Sequence, residues 1–179
     1  MHVWVSGFEA KPDDIDLIAR RVLEKYPEVI MQFVDLDKVP GSRFLFLATF
    51  NALKSFRSKQ PISKKLNMEI LLYISANRQI AEAIRLVGIN AGTRNIAVVL
   101  VGQSEEALLG ASDTLNQIFK QPNNDALVDL WSTQRTENVR TLFRIIPKEL
   151  KATRRENESE IEAMERLAIE RSAILTVRK

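Results

Sequence analysis

Between Val3 and Phe8 apolar and polar positions alternate as on a half-buried strand. From Ile15 the spacing becomes helical, with Ile15, Leu17, Ile18, Val22 and Leu23 forming an apolar face; Pro12 and the acidic residues after it mark the start and Pro27 the end. VIMQFVDLDKV, residues 29–39, predicts a second strand stopped by Pro40 and Gly41. Apolar residues at 44, 45, 47, 48, 50, 52, 53 and 56 predict a helix over 42–59 that is buried on one side. The stretch MEILLYISANRQIAEAIRLVGI, residues 68–89, opens with an unbroken apolar run that predicts a strand over 69–75. It continues with helical spacing over 77–88, closed by Gly88 as a C-cap. NIAVVLVG predicts another strand, and SEEALLGASDTLNQIF a helix capped by Ser104 with acidic residues in its first turn. Residues 122–138 are polar at both ends and predict one short helix, and RTLFRII, ending at Pro147, predicts a final strand. A charged linker over about 151–158 leads to a last helix over 158–173. Its apolar stripe is Ile161, Met164, Leu167, Ala168 and Leu175, and the closing TVRK is expected to fray. The fold class expected is α/β (α+β mixed): a single compact domain over 1–179, with a central sheet of about five strands packed by helices.

Composition adds little to this picture and charge adds more. With 179 residues, 45% hydrophobic and 27% charged, the chain has ordinary globular composition and length enough for one sizeable core. There is no cysteine, which excludes disulfides and thiolate metal sites and agrees with a reducing compartment. No 18-residue apolar stretch occurs, and MHVWVSGFEAKPDD has no basic leader followed by an apolar segment. The expectation is a soluble, cytoplasmic protein with no membrane partner. Residues 1–37 carry 4 basic and 8 acidic side chains, 38–94 carry 10 and 2, and 95–179 carry 12 and 13. The middle third is therefore a basic island, suited to polyanions or, alternatively, a solvated helical surface.

Catalytic chemistry is poorly represented. His2 is the single histidine, so the usual base and imidazole ligand are missing from the interior of the chain. No GxxxxGK[ST] loop occurs, and Gly88 to Gly92 follows a predicted helix rather than a strand, which reads as a cap and loop. Asp35 and Asp37 share one face of a strand or its end and could hold a divalent cation, although no third ligand lies near them in sequence. Glu158, Glu160, Glu162 and Glu165 read as the solvated acidic face of the last helix. Aromatic content is 7%, so a stacking platform for single strands is not evident, and phosphate contacts would dominate any nucleic-acid binding. No cofactor and no metal site is expected, and the protein reads as a binder rather than an enzyme.

Glu69 to Ser75, then Arg78–Gln79–Ile80, Glu82–Ala83–Ile84 and Gly88–Ile89, resemble the kinase-binding subunit of the KEOPS complex, the CGI-type family. Leu142 to Ile146 with Glu149–Leu150, and Arg166 to Ile169, resemble the closing elements of the same family. The resemblance implies a non-catalytic adaptor in the assembly that makes threonylcarbamoyladenosine beside the tRNA anticodon. It implies two partners, the assembly's kinase-like ATPase subunit and the single-stranded 3′ CCA end of tRNA.

The residue reading and the resemblance meet at Ser75, Asn77, Arg78, Gln79 and Ile80. A helix start there offers N–H groups and positive dipole to a terminal phosphate; Asn77 can cap, Arg78 can pair with phosphate and Gln79 can read a base edge. The bland alternative has Asn77 capping only and Arg78 solvated. Lys54, Arg57, Lys64, Lys65 and Arg94 are the supporting RNA-binding charges expected, and Met164, Leu167 and Arg171 on the last helix the expected kinase contacts. Two other functions stay open on the sequence: a kinase-docking protein without RNA contact, and a small metal-dependent enzyme using Asp35 and Asp37.

Overall fold

The computed structural model describes residues 1–10 and 14–176, the last without its side chain. The expected start of the first helix at Pro12 and the expected fraying after Thr176 lie outside the described residues. Strands β1 (His2–Glu9), β2 (Ile30–Asp35) and β3 (Asn95–Gly102) form one sheet in the order β1-β3-β2. Both outer strands run antiparallel to β3, with Val99 opposite Val5 on one side and Gln32 on the other. β3 is the unbroken apolar run NIAVVLVG because both of its faces are covered, and Ile96 to Val101 are fully buried.

Helices α1 (Ile15–Lys25) and α5 (Glu105–Phe119) cover one sheet face, packing Val22, Leu108, Ala111 and Leu115 on Phe8, Met31, Phe33, Val98 and Leu100. Asp14 and Ser104 cap them, each accepting the backbone N–H three residues on. The opposite face carries α2 (Ser42–Arg57) and α3 (Leu66–Ser75), on which α4 (Ile80–Val87) and α9 (Glu160–Ala173) pack in turn. The short α6 (Asp125–Asp129), α7 (Thr133–Leu142) and α8 (Pro147–Thr153) complete the chain.

Among the described residues three strands, not about five, form the sheet. The run over 69–75 is helix α3, not a strand, because it is enclosed by α2, α4, α9 and β2 and every residue from Glu69 to Ser75 is buried. A helix apolar on all sides shows no 3.6-residue period, so its sequence reads like a buried strand. Burial of Ile70, Leu71, Leu72 and Ile74 contributes on the order of 2 kcal/mol each. RTLFRII is likewise not a strand: it is the end of α7, a turn with Arg144 at φ 50°, and the approach to α8, with Phe143 and Ile145 turned into the core.

Residues 122–138 hold α6 and the first half of α7 rather than one helix. The second half of the stretch 77–88 is α4, which begins at Ile80. Gly88 caps it with φ −70°, an extended rather than left-handed conformation, and a Cβ there would run into the Ile84 carbonyl. The expected linker over 151–158 is partly the last turn of α8. The turn beyond it is tied down by Glu158, whose carboxylate accepts from the Arg155 amide and from Arg166 Nε, both at 2.9 Å.

Candidate nucleic-acid interface

The junction between α3 and α4 is shaped by its local sequence. Helix α3 ends with Ala76 in the left-handed region, φ 49°, and the Asn77 amide donates back to the Leu72 carbonyl at 3.1 Å, a Schellman-type ending made with alanine instead of glycine. The Asn77 side chain then accepts the Gln79 N–H at 2.9 Å and turns the chain into α4. Gln79 is the N-cap by backbone geometry, with no side-chain cap, so Asn77 caps the turn before α4 and not α4 itself. Ser75 is buried, its hydroxyl donating to the Leu72 carbonyl at 3.0 Å. Arg78, Gln79 and Ile80 are exposed. Arg78 Nη1 donates to the Leu175 carbonyl at 2.9 Å, and Ser172 Oγ donates to the Tyr73 carbonyl at 2.8 Å, so the chain beyond α9 closes against this junction.

The supporting charges lie in three segments of the chain. Lys54 and Arg57 occupy the last turn of α2, and Lys64 and Lys65 immediately precede α3. Helix α3 has ten residues, so its two ends lie ~15 Å apart and Lys64 and Lys65 stand at the end remote from Arg78. Arg94 is exposed just before β3. All five basic side chains face solvent.

Glu69 fixes the basic loop, a role sequence reasoning missed. Its carboxylate is fully buried and accepts the Ile62 N–H at 3.0 Å and the Ser63 N–H at 2.7 Å, while Ser63 Oγ accepts the Lys65 N–H at 3.2 Å. The loop carrying Lys64 and Lys65 is thereby held over the start of α3. The available signal was a lone acid inside an apolar run, which burial tolerates only when its oxygens are satisfied.

The expected kinase contacts fall in different surroundings. Met164 and Leu167 are 0% and 4% exposed, inside the core formed with α2 and α3, where they offer no surface to a partner. Arg171 Nη2 donates to both oxygens of Glu149 at 2.8 Å and ties α9 to α8. The acidic residues in and just before α9 divide as well. Ser159 and Glu162 make a capping box, Arg166 holds Glu158 down at about pKa 2, and burial pushes Glu165 above the usual carboxylate range beside Arg43.

Asp35 is buried, accepts the Asp37 N–H at 3.1 Å and the Thr93 hydroxyl at 3.2 Å, and is raised in pKa by its burial. It caps the 3-10 turn at Leu36–Lys38. Among the described residues no group of three or more histidine or carboxylate side chains is placed to hold a metal ion. In the same region Arg135 is 1% exposed and donates to the carbonyls of Val39, Leu130 and Val128 at 2.8, 2.6 and 2.6 Å, with Trp131 5.4 Å from its guanidinium. Burial lowers its pKa to about 10, against the opposing pull of Asp37, Asp129 and Glu165. No helix among the described residues is long and apolar enough to cross a membrane.

The family model described as "Kinase binding protein CGI-121" matches residues 14–176. Two relatives carry the name "EKC/KEOPS complex subunit CGI121". The chain is 30% identical to that of Coccidioides immitis over 74 residues, 41% of this chain and 36% of the relative. It is 25% identical to that of Yarrowia lipolytica over 88 residues, 49% of this chain and 52% of the relative. The matches thus span about a third and a half of the length of these curated relatives.

Proposed function

The chain belongs to the CGI-121 family of kinase binding proteins, and from that premise we propose that it is a non-catalytic adaptor of a KEOPS-type assembly. It binds the kinase-like ATPase subunit and recruits tRNA by the 3′ CCA end in the cytoplasm. The observation that carries the reading is the family match over residues 14–176, joined by two relatives named as KEOPS subunits.

Recruitment of tRNA is assigned to the α3–α4 junction. It is supported by the exposed Arg78, Gln79 and Ile80 at the start of α4, whose first-turn N–H groups have no side-chain cap and present a positive helix end. The basic residues near the far end of α3 serve as a second, sequence-independent contact to the phosphate backbone. A gel shift comparing tRNA with its CCA-lacking form tests this. Salt-sensitive binding that needs CCA is expected, and equal affinity for the two forms would refute the RNA role.

One observation favours a reading without RNA. The Arg78 guanidinium already donates to Leu175, so its binding to phosphate has to compete with, or add to, an internal contact. On that reading the chain docks the kinase alone.

A further inference from the structure

Charge over the last third of the chain is nearly balanced in sum, but not locally. Residues 140–155 hold six basic side chains and one carboxylate, Glu149, and both oxygens of that carboxylate are engaged by Arg171. The acids that offset these cations lie mainly in α5, α6 and α9. Arg144, Lys148, Lys151, Arg154 and Arg155 are exposed, and none of them enters an ion pair among the described residues.

Part of this charge converges on a concavity. α7, α8 and the first residue of α9 border a cleft of about 230 Å³ lined by Arg140, Pro147, Leu150, Lys151, Arg154 and Glu160. Arg140 pairs with Glu137 at 3.1 Å, so three cations stand against two carboxylates, Glu137 and Glu160, and leave one positive charge in excess. Two of the cations are tethered. Glu137 holds Arg140, and Arg154 Nε donates to the Glu158 carbonyl at 2.5 Å. The Arg154 contact uses Nε alone, and its two terminal nitrogens make no hydrogen bond among the described residues. A guanidinium fixed in this way presents a planar fork to anion oxygens, while Pro147 and the buried Leu150 give the cleft an apolar side that strengthens charge attraction.

The dimensions and donors select the ligand. Pockets for drug-sized molecules run from about 300 to 1,000 Å³, so this cleft admits one small group. Donors from α7, from α8 and from the residue after α8 approach along separate directions. A carboxylate offers two oxygens in one plane, whereas a phosphate group offers three or more arranged about a centre.

We propose that the cleft is a phosphate-binding site in which Arg140, Lys151 and Arg154 hold the oxygens of a single phosphate group. It stands at the start of α9, whereas the α3–α4 junction meets the chain beyond the end of that 14-residue helix, so the two places are about 20 Å apart. The site does not depend on the RNA reading of the junction. Its phosphate belongs to a free phosphorylated molecule or to a polynucleotide backbone.

The test titrates the full chain with inorganic phosphate, at ionic strength held constant with chloride, and follows the backbone amide signals by NMR. Saturable shifts centred on α8, Arg154 and Glu160 are expected. Lys151→Gln and Arg154→Gln should each weaken the affinity about fivefold, and Arg20→Gln, which removes the same charge from the exposed side of α1, should leave it unchanged. Thermal melts check that the variants fold, as expected for exposed positions. Shifts that fail to saturate, shifts no larger here than at the basic residues of 54–65, or equal affinity in all three variants overturn the site. Competition then identifies the source. A blunt RNA duplex that displaces phosphate from the cleft, and binds Lys151→Gln more weakly than wild type, supports the site as one for a polynucleotide backbone; phosphate that stays bound against the duplex supports it as one for a free phosphorylated molecule.

Discussion

Arg78 and Leu175 are 97 positions apart in sequence, yet the Arg78 guanidinium donates to the Leu175 carbonyl at 2.9 Å. The α3–α4 junction and the chain beyond α9 are in this way one structural unit. A contact of that kind gives a side chain exposed at a helix start a fixed direction, which matters at a site proposed to hold a single-stranded end. It also couples two measurements that would otherwise be independent, RNA affinity and folding stability.

Replacing Arg78 with Glu is accordingly expected to weaken tRNA binding by tenfold or more, because it removes a phosphate partner and adds a like charge, and to lower folding stability by about 1 kcal/mol. Gel shifts and denaturant melts read the two effects. Arg78→Lys should recover part of the binding and little of the stability, since an ammonium does not reproduce the guanidinium geometry.

Glu69 gives a prediction about the basic loop. Glu69→Ala leaves the half-buried Ile62 and the buried Ser63 N–H groups without their acceptor and opens a small cavity, so a loss of about 3 kcal/mol is expected in denaturant melts. Hydrogen exchange of the Ile62 and Ser63 amides should speed up before that of β3. If Lys64 and Lys65 contact RNA, the same variant raises the dissociation constant for tRNA although it removes no positive charge.

Arg135 is predicted to be the most sensitive single position outside the apolar core. Arg135→Met removes three hydrogen bonds to Val39, Leu130 and Val128 and leaves those carbonyls short of donors, at a cost of about 3–5 kcal/mol. Arg135→Lys should rescue less than half of this, because one ammonium cannot reach three carbonyls in a planar fork. Thermal melts of the two variants against wild type decide the point.

Acid stability depends in part on Glu158. Its carboxyl titrates near 4.5 when unfolded and is held at about 2 in the folded chain by Arg166 and the Arg155 amide. A folded pKa below the unfolded one means that the stabilisation is complete above about pH 4.5 and is lost as pH falls towards 2. Stability measured between pH 6 and pH 2 should therefore fall less steeply for Glu158→Gln than for wild type. Identical slopes would show that the pair contributes nothing to acid stability.

The elements with one wet side were legible in the sequence. The amphipathic period of α1, α2 and α5 placed these helices close to where they lie, and Ser104 caps α5 as expected; β1 is a strand as expected but not half-buried, since Val3 and Val5 pack on one core and Trp4 and Phe8 on the other. The exposed basic residues of the middle third were also legible, since charges with no partner nearby in sequence default to solvent. The Glu69 carboxylate is a lone acid in an apolar run, and its acceptor role follows only from Ile62 and Ser63 folding back over α3.

By itself, then, the sequence determined which segments carry an apolar face, the poverty of catalytic side chains, the basic middle third and the family resemblance, all of which are written in residue type and local spacing. Tertiary structure alone decided that Met68–Ser75 is helical, that Met164 and Leu167 are interior while Phe46 and Phe50 are not, and that Arg78 reaches Leu175. The physical reason is common to these cases. Periodicity reports only how many sides of an element meet water, so a segment enclosed on all sides loses its signature, and whether an apolar stripe is covered depends on which distant helix packs across it.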